Sequence, residues 1–294
     1  MKRLVLLCLT LAAATASLSA QDLFTRVVTR IAKTPNMGVG VYYRRLDRPD
    51  SLLVDAAHRF HAASTMKVPV MIQVFRDADA GTLRLTDSLT VVNEFHSIVD
   101  GSPFQLDKAD DSDSSLYLRV GQKAAVRDLL ELMITVSSNL ATDILIERVG
   151  AARANATAHA LGADSILVLR GVEDGVAYRA GRNNTTTARD LGVLLAAIAE
   201  HRAASRVACD SMLAILGRQH FTEGIPAGLP PDARVFHKTG WVGQVVYHDA
   251  AYVELPSPDR RRYVLVVTTG GIQLDTAAYN LVADVSRIVA AGVR

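Results

Sequence analysis

The sequence predicts an α/β (α+β) fold: an antiparallel sheet formed by both chain ends, flanking helices, and an inserted all-α domain. Strand patterns lie near the two ends, helical periods fill the middle, and no repeat or low-complexity linker separates them. A cleft between sheet and helices is where such an arrangement places a site.

The elements follow in order. Met1-Lys2-Arg3 is a short basic start, Leu4 to Ala16 is apolar, and Ser17-Leu18-Ser19-Ala20 supplies small residues before Gln21. This reads as a signal peptide over residues 1–20, with cleavage after Ala20 or after Ala16. The apolar run is shorter than the roughly 20 residues that span a bilayer, so no stable membrane anchor is expected. A helix carrying Leu23, Val27, Val28 and Ile31 comes next. Met37 to Tyr43 then alternates like a half-buried strand, and Leu52-Leu53-Val54 is its return.

Helical periods occupy the middle. Val126, Leu129, Leu130, Met133 and Ile134 recur at helical spacing, as do Leu140, Ile144, Leu145 and Val149, then Leu191, Leu194, Leu195 and Ile198. Asp107 to Ser115 is polar and acidic and reads as a solvated loop. Val245 to Leu255, a Pro256-Ser257-Pro258-Asp259 turn, and Tyr263 to Val267 form a hairpin. Leu281, Val285, Ile288 and Val289 mark a closing helix. The expectation is one catalytic unit over residues 21–294, its α/β part at about 21–62 and 203–294 and its helical part at about 63–202.

Composition narrows the function. The chain has 32 basic and 30 acidic residues, and removing the leader with Lys2 and Arg3 leaves the two equal. No basic cluster interleaves with aromatics, which argues against nucleic acid as a partner. Cys8 falls in the leader, so Cys209 alone remains and no internal disulfide is available. A small-molecule substrate and a monomeric, periplasmic or secreted protein are expected.

The most informative stretch is Ala63-Ser64-Thr65-Met66-Lys67 at the head of an apolar run. Residues at i and i+3 project from one face of a helix. A lysine held beside a serine and partly desolvated has a lowered pKa, which lets it take the hydroxyl proton. Ser137-Ser138-Asn139 precedes a helix; standing alone it reads as an N-cap. Lys238-Thr239-Gly240 follows Arg234-Val235-Phe236, and standing alone it reads as a strand ending in a polar turn. No G-x-S-x-G, H-E-x-x-H, P-loop or G-x-G-x-x-G motif competes.

Together the three triplets resemble those of the penicillin-recognising serine hydrolases. Residues 134–143 resemble the second-motif region of class A β-lactamases, Arg170 to Thr187 their omega loop, and His237 to Trp241 their third motif. The likeness spans the mature chain and implies a β-lactamase/transpeptidase-like fold. It implies Ser64 as the acylated nucleophile, Lys67 as proton acceptor, and Ser137 as donor to the departing nitrogen. Asn139 would hold the acyl amide, and Lys238 and Thr239, with Gly240 beside them, the substrate carboxylate. The backbone N–H groups of Ser64 and Trp241 would form the oxyanion hole. No metal and no cofactor enters this chemistry.

Glu173 is the residue the resemblance implies as base for deacylation, against a reading as a solvated loop carboxylate. Counted back from Thr185-Thr186 it falls about two places out of register. Ala177 stands where an asparagine is usual, and Ser138 where an aspartate is usual. Asp174 is the neighbouring carboxylate. The usual arginine for the substrate carboxylate is missing, with Tyr247 at that strand position. Phe95 and His96 are candidates for the opposite lip, Trp241 for the cleft wall or for packing, and His237 and His248 for ordinary strand residues. The implied activity is an exported serine β-lactamase. A D-alanyl-D-alanine peptidase or a slowly deacylating penicillin-binding sensor on the same scaffold is the alternative.

Overall fold

A computed structural model describes residues 21–256 and 261–292. The expected leader at 1–20 and most of the expected turn at 256–259 lie outside the described residues. The sheet contains β1 (Gly38–Arg45), β2 (Ser51–Val54), β3 (Arg234–Val242), β4 (Val246–Glu254) and β5 (Arg262–Gly270). They run antiparallel in the order β2-β1-β5-β4-β3, so the first strand from the chain's beginning pairs with the last from its end.

β4 and β5 are buried on both faces, which explains why their sequences are nearly continuous apolar runs and not strict alternations. Tyr263, Leu265 and Val267 face one core with Val27, Leu281 and Val285. Those partners come from α1 (residues 21–32) and α9 (Asp275–Gly292). Val264, Val266, Ala250 and Tyr252 face the other core.

That second core is helical. Its members are α2 (Lys67–Asp79), α3 (Val126–Thr135), α4 (Asn139–Val149), α5 (Ala151–Ala160), α7 (Ala188–Ala199) and α8 (Arg206–Leu216), while the short α6 (Gly175–Arg179) lies in the 170–184 loop. The periods read from sequence fall on α3, α4 and α7, and their apolar residues are buried. α2 is buried on every side, so its apolar residues run all round the helix and show no stripe. A two-residue strand pair, Phe60–His61 with Thr185–Thr186, ties the segment before Ser64 to the end of the 170–184 loop.

Candidate active site

Ser64 and Lys67 stand at the N-terminal end of α2. Ala63–Met66 is a 3₁₀ turn that runs directly into the helix, and residues three apart in such a turn eclipse each other. β3, the edge strand, packs against this turn. Gly240 makes that approach possible: a Cβ there would meet Thr65 N at 3.1 Å and Ala62 O at 3.2 Å. The residue therefore sits behind the nucleophile's turn, buried, and not on the cavity wall.

Lys67 is fully buried and donates from Nζ to Ser137 O (2.7 Å), Ser137 Oγ (3.1 Å) and Asn139 Oδ1 (3.0 Å). Burial lowers its pKa to about 8, although Asp111, Asp143 and Glu173 oppose the shift with their charges. Lys238, also fully buried, donates to Ser137 Oγ at 3.0 Å and to Thr239 O at 2.9 Å. Burial and the neighbouring charge of Lys67 push its pKa well below the usual lysine range. Two amines thus share one hydroxyl, that of Ser137, which suits a group that relays a proton.

Asn139 is the first residue of α4, with Ser138 as N-cap accepting from Ala141 N. Its amide is used at both ends: Oδ1 accepts from Lys67, and Nδ2 donates to Glu173 Oε1 at 2.7 Å. Glu173 Oε2 accepts from Asp107 N at 3.2 Å. Burial raises the Glu173 pKa above its ordinary value. The out-of-register count along the sequence does not keep Glu173 from the site, because the 170–184 loop has its own local path. Arg170 holds the two ends of that loop together by donating to Arg182 O and Asn183 Oδ1. Val172 N donates to Asp143 Oδ1 at 2.7 Å, and Gly171 leaves room for that carboxylate, whose Cγ a Cβ would meet at 2.7 Å.

Three of these positions hold backbone that non-glycine residues rarely adopt. Ala63 has φ 46°, Ser137 φ 59° and Glu173 φ 60°. Each costs on the order of 1–2 kcal/mol, and such strain concentrates where side chains must be aimed.

Ser64, Asn139, Glu173 and Trp241 line a cavity of about 300 Å³, with Tyr178 and Arg179 on its far wall. Ser137, Lys67, Lys238 and Thr239 are buried and do not line the cavity. Trp241 is half exposed and is held by Nε1 donating to Asp275 Oδ1 at 3.0 Å. Among the described residues no group of three or more His, Cys, Asp or Glu side chains is placed to hold a metal ion, and no helix is long and apolar enough to cross a membrane.

Two sequence expectations change, those for Phe95 with His96 and for the 107–115 stretch, and Asp174 and Tyr247 take places of their own. Phe95 and His96 do not form the opposite lip; they border a separate cavity behind the 170–184 loop, beside Asp143 and Gly171. Asp174 is a buried N-cap of α6, accepting from Ala177 N and Ile98 N, and so is committed to holding the loop. Tyr247 turns away from the site and packs edge-on against Tyr279 of α9. Within the acidic 107–115 stretch, Asp111 is buried against the start of α4 and is no solvated loop residue. His237 pairs with Asp249 and His248 bonds to His61 O, both inside the fold.

Comparison with known proteins places this geometry. The family model described as "Beta-lactamase enzyme family" matches residues 21–293. A β-lactamase structure from Sphaerobacter thermophilus DSM 20745 is 26% identical, with a TM-score of 0.76 over 90% of this chain and 96% of that one. A point mutant of PBP-A, solved as an acyl-enzyme complex with penicillin G, is 30% identical, with a TM-score of 0.77 over 92% and 95%. A β-lactamase from Chitinophaga pinensis DSM 2588 has a TM-score of 0.80 over 93% and 100%, and at 22% identity it speaks for the fold alone. Among curated proteins none matches the chain.

Proposed function

The chain belongs to the beta-lactamase enzyme family, and we propose that it is an exported serine β-lactamase of class A type, opening the lactam amide through a Ser64 acyl-enzyme. The observation that carries this reading is the linked set Lys67–Asn139–Glu173, of which Asn139 and Glu173 line the same cavity as Ser64. An acyl transfer needs a nucleophile, a proton acceptor and an oxyanion site; hydrolysis adds a base for water.

In acylation, Ser64 Oγ attacks the lactam carbonyl as its proton passes to neutral Lys67. A neutral amine carries two N–H bonds and one lone pair, so Lys67 keeps at most two of its three donated bonds and must turn its lone pair toward Ser64 Oγ. The tetrahedral oxygen is met by the backbone N–H groups of Ser64 and Trp241. The C–N bond breaks as Ser137, held by both lysines, delivers its proton to the departing nitrogen and is reprotonated by the Lys67 ammonium that donates to it. Glu173 then takes a proton from water, whose oxygen attacks the ester, and passes that proton to the Ser64 oxygen as it leaves. Lys238 and Thr239 supply the anionic end of the site, where a substrate carboxylate would favour the charged form of Lys238.

The competing reading is a penicillin-binding enzyme or peptidase that acylates without efficient release, in line with the acyl-enzyme form of PBP-A. The Glu173 carboxylate at the cavity favours hydrolysis. Residues 21–294 act as one catalytic unit, a monomer released from its leader into the periplasm or medium. The test is penicillin hydrolysis by the purified mature chain and by Ser64→Ala.

A further inference from the structure

Asp111 sits on the polar 107–115 segment, outside all three motifs, yet it is only 9% exposed. Its two oxygens accept from Asn139 N at 3.0 and 2.9 Å and from Leu140 N at 2.9 Å, the first two amides of α4. Tyr117 OH donates to it at 3.1 Å, and Asp113 N donates at 3.1 Å, fixing the carboxylate in its own loop. Ser138 Oγ lies 3.5 Å away. The motif itself carries no carboxylate: position 138 is serine, and its hydroxyl caps Ala141 N, one residue beyond the amides that Asp111 takes. A carboxylate at a helix N-terminus satisfies orphan amides and complements the helix dipole.

We propose that Asp111 is a positioning residue of this active site. Its carboxylate, brought from a remote loop, fixes the start of α4 and through it the Ser137 and Asn139 groups that hold Lys67, the task a carboxylate at position 138 would perform from within the motif. The kinetic part of this inference rests on the acyl-enzyme reading above; the part concerning α4 does not. Lys67 also feels Asp111 as one of several charges, with Asp143 from α4 and Glu173 from the loop of the same sign and Lys238 from β3 of the opposite one.

The test is a double-mutant cycle with two readouts: acylation rate by a fluorescent penicillin, and hydrogen exchange of the amides at 139–140. Asp111→Asn puts an NH₂ where an oxygen accepted, and should slow acylation at least about tenfold, as expected for losing bonds to a charged acceptor, with faster exchange at 139–140. Its acid limb should also move to lower pH, since removing a negative charge near Lys67 disfavours the ammonium; a merely structural role would leave that limb in place. Ser138→Asp alone sets two carboxylates side by side and should also slow acylation. Asp111→Asn combined with Ser138→Asp restores a single carboxylate and should acylate faster than either single variant. Wild-type acylation and exchange in Asp111→Asn would overturn the proposal, as would additive losses in the double variant. Should Asp111→Asn fail to fold, the double variant decides: a folded, acylating double supports the proposal and an unfolded one overturns it. A wild type that takes no penicillin removes the enzymatic reading instead, and exchange at 139–140 then decides on Asp111.

Discussion

Asn139 and Glu173 are joined by a 2.7 Å hydrogen bond from the amide nitrogen to the carboxylate, while the same amide accepts from Lys67. One short side chain thus connects the proton acceptor of the first half-reaction to the base of the second. It also fixes the amide's orientation, because Lys67 and Glu173, when both are charged, can only donate and only accept respectively. Substitution of Asn139 is therefore expected to disturb both halves. Asn139→Ala should lower both the acylation and the deacylation rate, measured separately in single-turnover experiments. A loss confined to substrate affinity would contradict this bridging role.

The pKa of Lys67, lowered to about 8 by burial, sets a pH expectation. Below that pH most of the population is ammonium and cannot accept the serine proton. Acylation should therefore rise with pH through a midpoint near 8, and Lys67→Ala should lower it by roughly 10²–10⁴-fold, as for loss of a general base. A flat profile between pH 6 and 9 would assign the proton to another group.

Glu173 imposes a limb of the same sign on deacylation, although its own pKa moves the other way. Its pKa is raised by burial, and only the carboxylate accepts a proton, so deacylation should fail as pH drops, at a higher pH than for an ordinary glutamate. Stopped-flow measurement of acyl-enzyme decay checks this. Decay that persists unchanged to the ordinary glutamate range would place the base elsewhere.

Gly171 tests the loop that carries Glu173. A methyl group there would sit 2.7 Å from Asp143 Cγ, so the loop must move or the carboxylate must swing away. Gly171→Ala should cost about 1–3 kcal/mol of stability by overpacking and should slow deacylation more than acylation. Unchanged thermal stability together with unchanged kinetics would mean that the loop yields freely.

Lys238 is buried and spends its hydrogen bonds on Ser137 and Thr239, so substrate charge, not direct exposure, must reveal its role. Lys238→Ala should lower kcat/KM more for carboxylate-bearing substrates than for neutral esters. Equal losses on both would leave Lys238 as a support for Ser137 alone.

The fold was largely legible because its signals are local. Val126 to Ile134 repeats at helical spacing, and β4 and β5 are apolar runs bounded by turn residues. The three motifs were legible for the same reason, each fitting within one turn of chain. Asp111 was not: its partners at 139–140 lie on another element, and no short-range pattern marks a carboxylate that caps a distant helix. Phe95 and His96 failed in the converse way, since two aromatic-type residues before a polar stretch say nothing about which side of a loop they border. Counting along the chain puts Glu173 about two places out of register, yet its carboxylate lines the cavity beside Asn139, because loop geometry and not residue number decides where a carboxylate ends.

The central claim is that Ser64 forms an acyl-enzyme that Glu173 resolves, and time-resolved mass spectrometry of the intact protein with penicillin tests it most directly. The wild type should show an adduct of one penicillin that appears and then vanishes as substrate is consumed. Glu173→Gln should accumulate the same adduct and keep it, and Ser64→Ala should show none. An adduct on Ser64→Ala, or wild-type decay in Glu173→Gln, would contradict the assignment of these two residues. A stable adduct on the wild type itself would contradict hydrolysis as the activity.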